Sequence, residues 1–159
     1  LFAAVAFVSC SEDDDNNGGS SFNLNPDAFQ GSINDGTVTL NAGTVYKLTG
    51  PIFVREGASL VIPAGTRIEA TGGTSAFIAV AQGGKIFVNG TATNPVVMTS
   101  GLASPAAGNW GGLVICGKAP INRGATAAAE VSELTYGGTD VADNSGSIRY
   151  LRIEYCGAA

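Results

Sequence analysis

The stretch that decides the fold is residues 60–66, Leu60-Val61-Ile62-Pro63-Ala64-Gly65-Thr66. Residues 38–44 (Val-Thr-Leu-Asn-Ala-Gly-Thr) have the same pattern 22 residues earlier, since an apolar strand again leads into Ala-Gly-Thr. A shift of 26 residues places Ile52-Phe53-Val54 on Ile78-Ala79-Val80. The repeated unit is therefore a strand, a glycine turn, a strand, an Ala-Gly-Thr turn and a strand, and it recurs about every 22 to 26 residues.

Each of these short strands alternates its side chains between two faces, so a single unit cannot bury its apolar face and successive units have to stack. Stacked parallel strands lie about 4.8 Å apart, and their crossovers are right-handed. The sequence therefore predicts an all-β fold, a right-handed parallel β-helix with about three to four coils. The predicted inward columns are Ile52, Ile78 and Leu113; Leu60, Ile86 and Ile121; and Tyr46, Ile68 and Val97.

A β-sandwich is the main competing fold, because it also uses many short strands separated by turns. It gives no reason for an internal repeat. The pair Asn89-Gly90, which is typical of hairpins, falls at a corner of the repeat instead of between paired strands. Gly57 and Gly83 also fall at corners, where a positive φ is cheap only without a Cβ. The pattern thus favours the β-helix.

The composition excludes several classes of functional site. The 159 residues include no histidine, so histidine-based acid–base catalysis, Ser-His-Asp and Cys-His nucleophiles and His-ligated metals have no residues to build them here. The net charge is −5, but residues 12–15 carry four of the 13 acids, which leaves nine acids against eight Lys and Arg, a net of −1. A near-neutral body gives no electrostatic footprint for nucleic acid. We expect no nucleic-acid partner, no metal and no cofactor.

The first residues resemble a bacterial export signal that ends in a lipobox. The eight apolar residues 1–8 are too few to cross a bilayer about 30 Å thick at about 1.5 Å per residue, and they fit the end of a signal-peptide h-region. The resemblance makes residues 1–10 the remnant of a signal peptide and Cys10 the lipidated N-terminus. A truncated signal anchor and a merely secreted protein are the alternatives.

An acidic run follows the cysteine. Its residues are Ser11, Glu12, Asp13, Asp14 and Asp15. The run resembles the signal that sends lipoproteins of the Bacteroidetes to the outer face of the outer membrane, while the alternative is a solvated acidic linker. The Asn, Gly and Ser residues that come next are typical of a flexible tether, so residues 11–21 are predicted to be a tether and residues 22–159 the β-helix.

From about residue 22 the chain resembles the β-helix secreted or lipoprotein family common in Bacteroidetes. The residues that carry the resemblance are 60–66, 108–115 (Gly-Asn-Trp-Gly-Gly-Leu-Val-Ile) and 147–155 (Ser-Ile-Arg-Tyr-Leu-Arg-Ile-Glu-Tyr). The resemblance implies a lipid-anchored protein of the outer membrane that faces the cell exterior. It also implies further coils, so we expect the sequence to be an N-terminal fragment that is truncated at its C-terminus. It implies no particular activity.

Residues 123–146 break the repeat and are predicted to form a loop insertion on one side of the helix, where solenoids often bind their ligands. Within it, Asp140, Asp143 and Asn144 are candidate ligand-binding residues, and the alternative is that they are solvated turn residues. They lack the spacing of an EF-hand calcium loop. Trp110 is a further candidate, because its ring could stack on a sugar or pack at a corner with its indole N–H on a turn carbonyl.

Several other groups are weaker candidates for a site. An acid–base pair for glycoside cleavage could be formed by Glu130 with Glu133, or by Glu154 beside Arg149 and Arg152. Residues 149–154 are more simply a strand with charged outward side chains. We therefore assign no catalytic residue. Phe53 should point outward, as should Phe87 and its neighbour Val61, and we expect the insertion to cover this face. Cys116 and Cys156 could form a disulfide in an exported protein or remain separate small apolar residues.

These observations predict a surface-exposed outer-membrane lipoprotein whose β-helix binds a glycan or another surface partner without catalysis in this chain. One alternative is a polysaccharide lyase or glycoside hydrolase of the pectin-lyase-like type, with its active site in coils beyond residue 159. A second alternative is a structural spacer or adhesin.

Overall fold

The computed structural model of the chain describes residues 19–131 and 134–157, and these residues form strands joined by turns and by two longer connections, one after β8 and one after β9. Two 3₁₀ turns lie at Pro26–Ala28 and Gly73–Ser75. In the described residues no helix is both long and apolar enough to span a membrane. The strands are β1 (Phe29–Ile33), β2 (Thr37–Thr39), β3 (Val45–Val54), β4 (Ser59–Pro63), β5 (Arg67–Ala70), β6 (Phe77–Val80), β7 (Lys85–Asn89), β8 (Val96–Ser100), β9 (Gly112–Ile115), β10 (Ala127–Ala128), β11 (Thr135–Tyr136), β12 (Gly146–Arg149) and β13 (Leu151–Ile153).

The strands wind around three faces, and every pairing between successive coils is parallel. The first face consists of β2, β4, β7 and β12. The second consists of the first half of β3 with β5, β8 and β13, and the third of β1, the second half of β3, β6 and β9. Each face thus has four stacked strands. The predicted right-handed parallel β-helix with three to four coils is confirmed.

The inward columns form the core as predicted, with two corrections. Ile52 pairs with Ile78 and Ile78 with Leu113, which confirms the first column. In the third column Tyr46 and Ile68 stack as predicted, but Met98 follows them instead of Val97. Val97 pairs with Arg67 on the outer side of the second face. The error arose because Val96, Val97 and Met98 are all apolar, so the alternation that assigns inward and outward positions is lost there.

In the second column the first two residues stack as predicted, and the third does not. Leu60 pairs with Ile86, but the residue stacked on Ile86 is Gly146 and not Ile121. The chain leaves the third face after β9 and returns to the first face only at β12, so residues 116–145 form an excursion that is longer than the predicted 123–146. Within it, β10 and β11 form a two-stranded antiparallel hairpin.

Burial in the columns is the main source of stability. Ile52, Leu60, Ile78 and Ile86 are fully buried, and each such side chain contributes about 1.5–3 kcal/mol relative to exposure. Two threonines show how polar groups are handled at the corners. The Thr66 hydroxyl donates to the Pro63 carbonyl oxygen at 2.7 Å, whereas the buried Thr49 hydroxyl has no hydrogen-bond partner among the described residues.

The residues before β1 close the first coil. Gly19 pairs with Thr37, and the Ser21 backbone N–H donates to Asp35 Oδ1 at 2.8 Å. This hydrogen bond is the largest cause of a lowered pKa for the Asp35 carboxyl. The Phe22 ring packs edge-on against Phe29 with their centroids 6.4 Å apart. Residues 19–21, predicted to belong to the tether, therefore already contact the β-helix.

Candidate binding groove on the third face

The candidate site lies on the outer surface of the third face. Strand alternation turns Ile52 and Val54 into the core and leaves Phe53 and Arg55 outside. Phe53 pairs with Ser32 on one side and with Ala79 on the other, so these residues form an outward column across neighbouring coils. The surface is therefore a parallel sheet whose outer side chains are repeated at the spacing of the coils.

The excursion packs on this outer surface. Leu134 from the excursion forms an apolar cluster with Phe77, Ala79 and Cys116, and Phe53 packs at its border. The Phe53 and Phe77 rings are perpendicular with their centroids 5.6 Å apart. The expected coverage is thus confirmed for Phe53. For Phe87 and Val61 the prediction is wrong, because these two residues pair with each other on the first face, in a different sheet, and neither is a member of this cluster.

Polar contacts fix the two ends of the excursion to the coil beneath. The Gln82 side-chain amide donates to the carbonyl oxygens of Gly117 and Gly137, at 2.9 and 2.6 Å. Lys118 Nζ lies 2.7 Å from Glu56 Oε1. Its hydrogen bond and charge lower the pKa of Glu56, and the same contact raises the pKa of Lys118. Both groups are at the surface, so the ion pair adds little stability. The part-buried Gln82 amide, with two hydrogen bonds, is the stronger attachment.

Two open clefts lie on the third face, and the first of them adjoins the excursion. The first has a volume of about 370 Å³ and is lined by Arg55, Glu56, Ala81, Gln82, Leu134 and Thr135. The second has about 400 Å³ and is lined by Gln30, Gly31, Ser32, Pro51 and Phe53. The Arg55 guanidinium lies over the Phe53 ring, 4.3 Å from its centroid, so the two clefts meet at this pair. We call the two clefts together the groove.

A third cleft lies on the other side of the hairpin. It has a volume of about 270 Å³, and its lining residues are Val114, Ile115, Cys116, Ala129, Glu130 and Tyr136. Burial raises the pKa of the Cys116 thiol, which disfavours the reactive thiolate. Cys116 and Cys156 are both free thiols. The two cysteines are thus separate, in line with the second of the two alternatives.

The candidate ligand-binding residues of the insertion are occupied in turns. Asp140 Oδ1 accepts from the Ala142 N–H at 2.9 Å, and Asn144 Oδ1 accepts from the Gly146 N–H at 2.8 Å. Asp143 Oδ2 accepts from the Lys118 N–H at 2.9 Å, which ties the two ends of the excursion together. These are the contacts that the turn alternative describes. Among the described residues no group of three or more Cys, Asp or Glu side chains is arranged to hold a metal ion.

Trp110 is fully buried in the core, and its indole N–H donates to the Glu154 carbonyl oxygen at 2.8 Å. Of the two alternatives for Trp110, this is packing at a corner, and neither face of the ring is exposed for stacking on a sugar. The Glu154 carboxylate forms an ion pair with Arg152. The expected single strand over residues 149–154 is wrong, because the chain turns at Tyr150, which has φ +48°, so that Arg149 ends β12 on the first face and Arg152 lies in β13 on the second. Glu133 lies outside the described residues, as do Cys10 and the acidic residues Ser11, Glu12, Asp13, Asp14 and Asp15.

Sequence reasoning missed Arg55 and Gln82, which line the groove, and Lys118, which pairs with Glu56 beside it. Strand alternation is consistent with an outward Arg55, but nothing in the pattern indicates that it stacks on Phe53 two positions before it. The contacts of Gln82 with Gly117 and Gly137 span 35 and 55 residues of sequence. Such contacts depend on where the excursion folds, which the repeat does not specify.

The comparisons with known proteins bear on the family. A family model described as a pectate-lyase-like β-helix domain matches residues 31–159. No curated protein and no solved structure matches the chain. The matched residues include the excursion, all strands except the first two residues of β1, and all groove residues except Gln30.

Proposed function

The chain belongs to the family of pectate-lyase-like β-helix domains, and from this premise we propose that it is a lipid-anchored protein of the outer-membrane surface that binds a glycan without cleaving it. The lipid would be carried by Cys10, and the ligand would lie in the groove on the third face. The single observation that supports binding is the groove itself.

The groove offers the two kinds of contact that a sugar needs. A pyranose ring has an apolar face of C–H groups, which stacks on an aromatic ring, and a rim of hydroxyl groups, which need hydrogen-bond partners. Phe53 supplies the aromatic ring, Gln30 a side-chain amide and Thr135 a hydroxyl group on the walls. Gln82 can offer only its side-chain carbonyl oxygen, because its N–H groups donate to Gly117 and Gly137. The groove is open along the coils, and strands recur about every 4.8 Å, so it suits a chain of sugars better than a compact ligand.

The proposed anchor rests on the order of segments at the start of the sequence. A short apolar run, Cys10 and a run of four acids precede the first contacts of the β-helix at Gly19. Stable membrane attachment takes more than one acyl chain, which a lipoprotein cysteine carries. We expect [³H]palmitate to label the protein in its native host and the protein to sediment with membranes. A Cys10→Ser variant should lose both properties, and labelling that survives this substitution would contradict the anchor.

Glycan binding can be tested with a matched pair of variants. Phe53 and Phe87 are both half-buried outward aromatics, but they lie on different faces. On an array of plant and host glycans, we expect the chain to bind at least one class of polymer. Phe53→Ala should weaken binding about tenfold or more, by analogy with the stacking of a nucleic-acid base on an aromatic side chain, which is worth about 1–3 kcal/mol. Phe87→Ala should leave affinity unchanged. Equal losses in both variants would contradict the placement of the ligand in the groove.

The second candidate function is polysaccharide processing, and the family assignment favours it. The same glycan panel distinguishes the two. Binding without new products supports the first proposal, whereas unsaturated or new reducing ends would replace it with a lyase or hydrolase. A structural spacer or adhesin is supported if the chain neither binds nor cleaves any member of the panel.

A further inference from the structure

The third cleft, between the hairpin and β9, is small and mostly apolar. Its lining residues are Val114, Ile115, Cys116, Ala129, Glu130 and Tyr136. Four of them belong to or pack against the apolar cluster that attaches the hairpin to the third face. The volume of about 270 Å³ is just below the range of about 300–1,000 Å³ that holds drug-sized molecules, so the cleft suits a short ligand.

The register of the hairpin separates this cleft from the groove. Thr135 and Tyr136 are consecutive residues of β11, so their side chains leave opposite sides of the hairpin. Thr135 lines the groove, and Tyr136 lines the third cleft. The two sites thus have the hairpin as a common wall and share no lining residue.

The polar groups of the cleft favour a cation. Glu130 is exposed, and it is the one charged side chain among the residues that line the cleft. Within residues 19–131 and 134–157, no Lys or Arg side chain lies within ion-pair distance of its carboxylate. An ionised carboxylate has acceptor sites only, so the polar end of a ligand has to supply a donor. Tyr136 adds an aromatic ring, and ammonium groups are attracted to the faces of such rings.

From this arrangement we infer that the third cleft binds an aliphatic ammonium group, with its hydrocarbon body among the apolar side chains and its ammonium on the Glu130 carboxylate. An anion of the same shape is repelled by that carboxylate, and a neutral molecule gains only the apolar contacts. The cleft shares no lining residue with the groove, so this site does not depend on the proposed glycan binding.

The test is a titration at neutral pH, followed by NMR of the backbone amides, with hexylamine, 1-hexanol and hexanoate. These probes have the same hydrocarbon chain and differ in charge. The proteins are the unmodified chain, Glu130→Gln, Glu130→Lys and Glu69→Gln. Glu69 lies on the outer side of the second face, so Glu69→Gln makes the same charge change as Glu130→Gln away from the cleft. A fourth probe, Nα-acetyl-lysine amide, distinguishes a lysine side chain of a peptide from a free amine as the source of the ammonium group.

We expect hexylamine to shift the amide signals of Val114, Ala129 and Tyr136 and to bind about fivefold more tightly than 1-hexanol, the upper range for an exposed ion pair. Hexanoate should bind more weakly than either. Added salt should reduce the preference for the amine. Glu130→Gln should lower the affinity for hexylamine to that for 1-hexanol, Glu130→Lys should reverse the preference in favour of hexanoate, and Glu69→Gln should change nothing.

Three results would overturn the inference. The first is that hexylamine shifts no amide signal of the third cleft in the unmodified chain. The second is that hexylamine and 1-hexanol bind equally well and Glu130→Gln changes neither affinity. The third is a loss in Glu69→Gln equal to that in Glu130→Gln, because the effect would then be one of net charge. Signals outside the hairpin and β9 that stay in place in each variant show that the fold is kept.

Discussion

The same substitution, threonine to valine, should have opposite effects on the free energy of unfolding at Thr49 and at Thr66. Thr49 lies in β3, near the corner between the second and third faces, and its buried hydroxyl oxygen has no hydrogen-bond partner among the described residues. A buried hydroxyl without a partner costs about 1–3 kcal/mol. Replacing it by a methyl group of similar size removes this cost, so we expect Thr49→Val to raise the free energy of unfolding by about 1 kcal/mol.

Thr66 is fully buried, and its hydroxyl donates to the Pro63 carbonyl oxygen at 2.7 Å. The same substitution removes a satisfied hydrogen bond there, and we expect Thr66→Val to lower the free energy of unfolding by about 1 kcal/mol. The two variants should therefore differ by about 2 kcal/mol. Equilibrium unfolding in urea, followed by the fluorescence of the buried Trp110, measures the difference as a shift of midpoint at constant slope. A loss of stability in Thr49→Val as large as that in Thr66→Val would refute the reasoning.

Three further predictions concern the excursion and its attachment. Gly146 has φ +112°, and a Cβ there would lie 1.9 Å from a carbonyl oxygen of the preceding coil. Gly146→Ala should therefore lower the free energy of unfolding in urea by at least about 2 kcal/mol. The control is Gly43→Ala, whose Cβ meets no atom within 4 Å and which should change this free energy by no more than about 0.5 kcal/mol. Gln82→Leu should speed hydrogen exchange across residues 117–137 and leave the core strands unchanged, and equal protection in both proteins would refute the attachment. Because the pKa of Glu56 is lowered, its pairing with Lys118 stabilises the fold at pH values above the ordinary carboxyl pKa, and this contribution is lost as the pH falls through the lowered pKa. In an NMR titration, Lys118→Met should move the pKa of Glu56 up toward 4.5. An unchanged pKa would contradict the pairing.

Much of the coil architecture follows from the sequence because every coil has to bury apolar side chains at equivalent positions. Ile52 and Ile78 occupy equivalent places in the repeat, and both have to be buried by their neighbours, so their spacing identifies the stack. Where the alternation fails, as in the all-apolar run at Val97, the sequence no longer distinguishes the two sides of a strand. The wrong placement of Ile121 has a different cause, since an apolar residue in a long loop has the same local appearance as one in a strand.

The groove could be predicted only in part. Strand alternation placed Phe53 outside and indicated that something would cover its face. The partners of that face were not predictable, because Gln82 and Leu134 meet it through contacts that depend on the path of the excursion. Trp110 was ambiguous for a related reason, since an aromatic residue between glycines is equally suited to a ligand and to a corner, and the choice depends on the Glu154 carbonyl oxygen supplied by the next coil.

The chain returns to the first face at β12 without losing the register of the coils, so the excursion can change while the coils stay the same. Gly146 resumes pairing with Ile86 in the same register that Leu60 and Ile86 share, although residues 116–145 lie between β9 and β12. Lengthening such a detour costs little, about 0.6 kcal/mol for each doubling of a flexible loop. One wall of the groove is therefore interchangeable, and new recognition chemistry can be installed or exchanged there while the scaffold that holds it keeps its geometry.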